Sequence, residues 1–177
     1  MATKSKAFRS RSTDQICQGD IFKNVKYSYI DSEDGESVNI VEYEFPLALI
    51  ISQACDVIAM EDLTVKKCGK PAKFMPSILM CPIYEQSAAK SGQHIKEAFE
   101  QLALNFESEN TYQGDDYKVA KRDWHYRIHA LTVNVDEKDV IENAVIDFKH
   151  YFTVPMTYLI AHKKDRILHL DDLFAEQ

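Results

Sequence analysis

The sequence is poor in the residues that loosen or break a fold, with only five Gly and five Pro among its 177 residues. That scarcity argues against a low-complexity, disordered chain. It also lacks an apolar run near the roughly 18 residues that a membrane-spanning helix needs. No apolar stretch follows the polar first residues, so nothing there is typical of a secretory signal. We therefore expect a folded, cytoplasmic protein that has no membrane association.

Cysteines at metal-binding spacing are missing as well. The four cysteines are Cys17, Cys55, Cys68 and Cys81, and no two of them form a C-x-x-C pair. The even spacing of the last three matches no zinc pattern. In a cytosolic chain of this size we expect reduced thiols rather than disulfides. The sequence thus predicts neither a metal site nor another cofactor.

Acidic residues are absent from the first 13 positions, which carry Lys4, Lys6, Arg9 and Arg11. Because the formal net charge of the whole chain is −7, the remainder carries −11. We predict a flexible basic arm over residues 1–13. The acidic remainder repels a phosphate backbone at long range, which counts against a general nucleic-acid binder. A local basic groove is still compatible with that charge.

The remaining residues, 14–177, show neither an internal repeat nor a linker, so they predict a single domain. Most of its patterns are typical of β-strands: a hairpin around Gly35, a buried run over 46–52, another over 77–84, and alternating segments over 123–135 and 144–154. Apolar residues at helical spacing predict one clear helix over 93–106. Residues 57–76 have only a weak pattern and are interpreted as a connection. The fold class is therefore mostly β, of the α+β type.

A thiol and a carboxylate stand where the apolar run over 46–52 ends, in the sequence Ser-Gln-Ala-Cys-Asp. One hypothesis is a site at the end of a core strand, with Gln53 contacting substrate, Cys55 as a nucleophile and Asp56 as a base or an orienting carboxylate. The other is that Cys55 is a small buried hydrophobe and that Asp56 caps a turn or a following helix.

Histidines lie on two of the alternating segments. His150 shares a face with apolar neighbours, so it is either a core residue or an acid–base group that faces Asp56 or Cys55. His125, Arg127 and His129 share one face of another segment, about 7 Å apart, close to phosphate spacing. That strip is either a groove for a phosphate chain or an ordinary solvated strand face.

The order of several segments resembles the MazF/PemK family of toxins, which are small SH3-like β-barrels. In that family a "GDI" opens the first strand, an "RPxLVLS" strand follows, and a third strand ends in "PIT". A late strand and an Arg-Leu turn come near the end. The corresponding segments here are "GDI" at 19–21, "FPLALIIS" at 45–52, "CPIY" at 81–84, "VIDFKHYFTV" at 145–154 and "KKDRILHLDDL" at 163–173. The resemblance implies a MazF/PemK-like SH3-type barrel, with a helical insertion at about 85–118.

The family cleaves RNA without a metal, using an Arg before the Pro of the second strand and a Thr or Ser after "PI". Those positions hold Phe45 and Tyr84 here. Phe45 has no guanidinium with which to stabilise a developing phosphorane. We therefore expect an altered catalytic set, with Asp56 as the base, His150 as the acid, and Arg127 or Arg166 on the phosphate.

Three functions remain open at this point. The resemblance implies a toxin-like, RNA-directed module of a bacterial toxin–antitoxin or phage-defence system, acting as a metal-independent endoribonuclease. The alternative is a non-catalytic barrel that binds a protein partner, such as an antitoxin or another defence component, through a sheet edge or a groove. A thiol hydrolase that uses Cys55 is the third. Homodimers are usual in the resembled family.

Overall fold

The structure is a computed structural model that describes residues 8–9, 14–33, 35–96, 128–135 and 138–170. The chain divides into two compact units. The first comprises Met1–Pro82 and Tyr151–Gln177, and the second comprises Ile83–His150. The insertion predicted at about 85–118 falls in the second unit, and residues 97–127 lie outside the described ranges. The expectation that residues 14–177 form a single domain stays a prediction.

Strands outnumber helices among the described elements. In chain order the elements are β1 (Phe8–Arg9), β2 (Ile21–Glu33), β3 (Val38–Ile50), α1 (Ala54–Lys66), a 3-10 turn (Pro71–Lys73), β4 (Ile78–Glu85), α2 (Gln86–Ser91), β5 (Ile128–Val135), β6 (Lys138–Asp147), β7 (Phe152–Val154), α3 (Met156–Ala161), a second 3-10 turn (Lys163–Asp165) and β8 (Arg166–Leu170).

The first unit is built on an antiparallel row of strands in the order β1-β8-β2-β3-β4, and β7 also pairs with β4. The long β2–β3 hairpin turns at Gly35, whose φ of 87° suits a residue without a Cβ. The predicted hairpin is thereby confirmed. Inward side chains of β2, β3, β4 and β7 form the core together with Val57 of α1 and Leu159 of α3.

The second unit contains a smaller antiparallel row, in which the last residues of β4 pair with β6 and β6 pairs with β5. Helix α2 packs Ala89 against Val145 and Tyr84. Gly92 ends that helix with a φ of 72°, and helical backbone resumes at residue 93. The start expected for the predicted helix is therefore correct, whereas its residues from 97 onward lie outside the described part.

The mostly β, α+β class is confirmed by these elements. The described strand pairings form an open row in each unit, so closure into an SH3-type barrel and the MazF/PemK relationship both stay predictions. Within the predicted basic arm, Phe8 and Arg9 pair with Leu170 and His169 of β8. Residues 1–7 and 10–13 of the arm lie outside the described part.

Two predicted elements are wrong. Residues 57–76 are not a connection without structure, because they contain most of helix α1. The residue after the helix, Lys67, has the left-handed conformation. The segment 144–154 is not one strand, because β6 ends at Asp147 and a turn over 148–150 precedes β7. His150 therefore lies in a turn rather than on the apolar face of a strand.

Candidate functional site

The Ser-Gln-Ala-Cys-Asp segment links β3 to α1 and includes the first three residues of that helix. Ser52 Oγ accepts a hydrogen bond from the Leu79 backbone N–H at 2.8 Å. Gln53 is the N-cap of α1 but makes no side-chain capping bond. Instead, the Ala54 N–H donates to Oε1 of Gln18 at 3.1 Å, so a residue distant in sequence satisfies this helix terminus. The prediction that this segment follows a core strand is confirmed, and the strand leads directly into a helix.

Cys55 and Asp56 lie in the first turn of α1 beside Lys73. Lys73 Nζ is 2.7 Å from Asp56 Oδ1, and Cys55 Sγ is 3.7 Å from the same oxygen and 3.9 Å from Lys73 Nζ. The interpretation of Cys55 as a buried hydrophobe is wrong, since its side chain is exposed. Lys73 was not predicted, because it is 17 positions from Asp56 and is the last residue of a 3-10 turn that has no sequence pattern.

The hydrogen bond from Lys73 holds the pKa of Asp56 below its usual value, and the same bond raises the pKa of Lys73. Both groups are therefore ionised near neutral pH. A carboxylate whose pKa is lowered is a weaker proton acceptor. The arrangement thus suits an orienting role for Asp56 better than the predicted role as a base.

Arg166 lies in a buried ionic cluster. Its Nη1 atom is 2.5 Å from Asp20 Oδ2 and donates to the Gln15 carbonyl at 2.5 Å, while His169 Nδ1 is 2.5 Å from Asp20 Oδ1. Arg166 and His169 are only 6% and 5% exposed, and Asp20 is fully buried. This burial favours a structural role for Arg166 over the predicted binding of phosphate. Arg127, the other predicted phosphate ligand, lies outside the described residues.

His150 belongs to the second unit, where it contacts Tyr84 at the end of β4. The Tyr84 hydroxyl lies 2.5 Å from His150 Nδ1, and the two rings stack with centroids 5.6 Å apart. Both side chains are half-buried. The phenol and the imidazole are therefore close enough to share a proton and open enough to meet solvent.

A second imidazole and a carboxylate lie under this pair. His94 packs edge-on against the Tyr84 ring at 4.8 Å, and its Nε2 is 3.3 Å from Asp147 Oδ2. Both side chains are fully buried. Asp147 also accepts the Lys149 N–H through Oδ1, and its carbonyl accepts the His150 N–H. Asp147 thus fixes the turn that presents His150.

Neither His94 nor Asp147 was singled out from the sequence. His94 lies at the start of the predicted helix, 53 positions from Asp147, and Asp147 falls on the polar face of the alternating segment 144–154. Their association depends on the pairing of β4 with β6, for which no local pattern gives a signal. His129, from the predicted basic strip, contacts Phe148 with ring centroids 6.5 Å apart.

An open cleft of about 580 Å³ lies in the second unit, beside the end of β4. Its lining is polar and carries both charges: Glu85, Gln86, Ser87, Lys90 and Asn143. Within the described residues no group of three or more His, Cys, Asp or Glu side chains is arranged to hold a metal ion. The helices of those same ranges include none that is long and apolar enough to cross a membrane.

Comparisons of the chain with models of protein families, with curated proteins and with solved structures found no match. The function of the chain is therefore inferred from the sequence resemblance and from the site itself.

Proposed function

We propose that the chain is a toxin-like, RNA-directed module of a bacterial toxin–antitoxin or phage-defence system that cleaves RNA without a metal. The hydrogen bond between Tyr84 and His150 carries this proposal. Tyr84 occupies the position at which the resembled family has its catalytic hydroxyl. Here that hydroxyl has an imidazole partner, which supplies an acid–base group at the position where Tyr84 departs from the family.

The chemistry of the pair suits cleavage through the ribose 2′-hydroxyl. When His150 Nδ1 donates to Tyr84, Nε2 is the nitrogen that can accept a proton. Nε2 takes the 2′-hydroxyl proton, the 2′-oxygen bonds to phosphorus, and the bond from phosphorus to the 5′-oxygen breaks. The Tyr84 hydroxyl donates its proton to the leaving 5′-oxygen and takes the Nδ1 proton of His150 in exchange, giving a 2′,3′-cyclic phosphate and a 5′-hydroxyl. His94 and Asp147 position the pair without touching RNA.

Cleavage of total RNA in EDTA by the purified protein tests this function. The informative variants are Tyr84→Phe and His150→Gln, which keep the size of each side chain. We expect each to lose activity by roughly 10²–10⁴-fold, the usual contribution of general acid–base catalysis. His162→Gln is the matched control, because His162 stacks on Tyr158 at 4.1 Å as His150 stacks on Tyr84.

Retention of full activity by a folded His150→Gln protein would contradict the catalytic assignment. Asp56→Ala and Cys55→Ser belong in the same experiment, since the Cys55–Asp56–Lys73 cluster is the competing location. Absence of cleavage by a folded wild-type protein would leave a non-catalytic function.

The second candidate function is a protein-interaction module of the same kind of system, with an antitoxin-like or defence-system protein as its partner. One observation favours it: the β2–β3 hairpin exposes Ile30, Val38 and Ile40 to solvent by half or more. Exposed aliphatic clusters of this type mark interaction surfaces.

A further inference from the structure

The outer part of the β2–β3 hairpin carries an exposed aliphatic cluster on one side. Ile30 and Ile40 are cross-strand partners and are 62% and 59% exposed, and Val38, paired with Glu33, is 50% exposed. These three β-branched side chains contact solvent rather than the core, which begins at Val25. We name Ile30, Val38 and Ile40 the aliphatic patch.

The opposite side of the hairpin already has its own packing. The rings of Tyr27, Tyr29, Tyr43 and Phe45 follow one another at 5.9–6.2 Å, and Phe45 and Tyr27 lie 4.8 and 5.2 Å from the core residue Phe152. Cross-strand aromatic pairs stabilise a hairpin that would be marginal by itself. The aromatic side therefore anchors the hairpin to the core, and the aliphatic patch takes no part in this packing.

The edge of β3 beside this patch is open among the described strands. β3 pairs with β4 only over Ala48–Ile50, so the ten residues before them have β2 on one side and no described strand on the other. Such an edge presents alternate backbone donors and acceptors to an added strand. An extended segment that docks here gains backbone hydrogen bonds and contacts with the aliphatic patch together.

Carboxylates surround the aliphatic patch on the same side of the hairpin. Glu33, Glu42 and Glu44 are all exposed, and among the described residues of the hairpin Lys26, opposite Glu44, is the one cation on that side. This charge complements a basic segment. It repels the phosphates of RNA, and it disfavours a second copy of the chain, which would bring the same carboxylates against these.

We infer that the β2–β3 hairpin binds an extended, basic, aliphatic segment of a partner protein, which adds as a strand to the edge of β3 that no described strand covers and packs on the aliphatic patch. This inference supplies the surface and the partner chemistry for the second candidate function. It uses none of the residues assigned to RNA cleavage, since the hairpin lies in the first unit and Tyr84 and His150 lie in the second.

Fluorescence anisotropy with a synthetic probe tests the inference on the full chain. The probe is a labelled peptide of about ten residues, long enough to span the open edge, in which Lys alternates with Ile and Val. The comparison peptides replace Lys by Glu, or keep the composition in scrambled order. We expect saturable binding of the basic peptide alone, weakened when salt rises from about 50 to about 500 mM.

Two double variants locate the binding surface. Ile30→Thr with Ile40→Thr keeps β-branched side chains but removes apolar area, and Glu42→Lys with Glu44→Lys reverses the charge. We expect each to weaken binding at least tenfold, and the charge reversal to abolish most of the salt dependence. Val65→Thr on α1, where Val65 is 57% exposed, is the matched control and is expected to bind as the wild type does.

Several results would overturn the inference. They are absence of binding to the folded wild type, equal binding of the Glu peptide, or an equal loss in the Val65→Thr control. Light scattering that shows a wild-type dimer dissociated by the Ile30→Thr and Ile40→Thr changes would assign the patch to a second copy instead. RNA cleavage by the same double variants, expected to equal that of the wild type, separates failure here from failure of the endoribonuclease proposal.

Discussion

Two aspartates of the first unit form short ion pairs in opposite environments. Asp20 contacts Arg166 at 2.5 Å with both side chains fully buried, whereas Asp56 contacts Lys73 at 2.7 Å with side chains 35% and 45% exposed. The two distances are almost the same. What differs is how much solvent surrounds each pair, and this difference determines what each pair can do.

Burial gives the Asp20 pair a structural role. Asp20 Oδ2 also accepts the Cys17 N–H at 3.0 Å, so one carboxylate joins its own turn to β8 through Arg166 and His169. Removing it leaves a buried cation without compensation. The Asp56 pair is screened by water, so it contributes little to stability. It keeps two ionised groups and a thiol accessible to solvent at a helix terminus.

Asp20→Ala is expected to have the largest effect, a loss of about 3–5 kcal/mol in the free energy of unfolding, because Arg166 stays buried without its anion. Urea denaturation measures it. A double variant with Arg166→Met removes both charges and is expected to recover part of the loss. A loss below about 1 kcal/mol for Asp20→Ala alone, the scale of an exposed pair, would contradict this. It would mean that the buried pair contributes no more to stability than the exposed Asp56 pair.

Glu61→Gln tests an environment between the two. Glu61 accepts the Ile16 N–H at 2.7 Å and pairs with Lys163 at 2.8 Å, with its side chain 7% and that of Lys163 23% exposed. The amide keeps one acceptor but loses the charge, so we expect a loss of about 1–3 kcal/mol. The same denaturation experiment checks it. A loss as large as that of Asp20→Ala would show that burial of the cation is not the deciding factor.

Lys73→Met is expected to raise the pKa of Asp56 towards its ordinary value near 3.8, because the hydrogen bond that lowers it is gone. NMR titration of the Asp56 side chain measures this change. A lowered folded-state pKa stabilises the protein above the unfolded-state pKa, and that contribution disappears as the pH falls through the folded-state value. Because solvent screens this exposed pair, that contribution is small even at neutral pH, so the pKa rather than the stability is the quantity to measure. An unchanged pKa would show that the contact does not persist in solution.

Asp56→Asn is expected to have the smallest effect, with no measurable change in the denaturation midpoint at neutral pH, since solvent screens the pair it removes. Chemical denaturation beside Asp20→Ala provides the comparison. A midpoint shift that approached the one seen for Asp20→Ala would mean that Asp56 also has a structural role.

The parts of the fold that the sequence predicts well depend on neighbouring residues. The β2–β3 hairpin follows from alternation and from Gly35, and the end of β3 follows from its apolar run. Helix α1 was missed because Glu61, on its buried face, interrupts the apolar pattern. The partner that explains Glu61, Lys163, is 102 positions away. The alternation of apolar and polar residues also continues through 148–150, although Phe148 is 42% exposed there. The pattern therefore gave no sign of the turn.

The candidate sites follow the same rule. The sequence located Gln53, Cys55 and Asp56 beside one another, since they lie in one turn. It could not associate Tyr84 with His150, because 66 positions separate them and only strand pairing brings them together. It also assigned Arg166 to phosphate, because sequence alone does not reveal that a cation has a buried anion 146 positions away.

The position of β8 between β1 and β2 has a consequence for biosynthesis. Asp20 is translated 146 residues before Arg166 and 149 before His169. At a synthesis rate of about 5–20 residues per second, it waits roughly 7–30 s for these partners. During that time the first strands can fold only without β8, which lies between β1 and β2 in the finished sheet. Completion of the first unit is therefore a late event, after the second unit has already been synthesised.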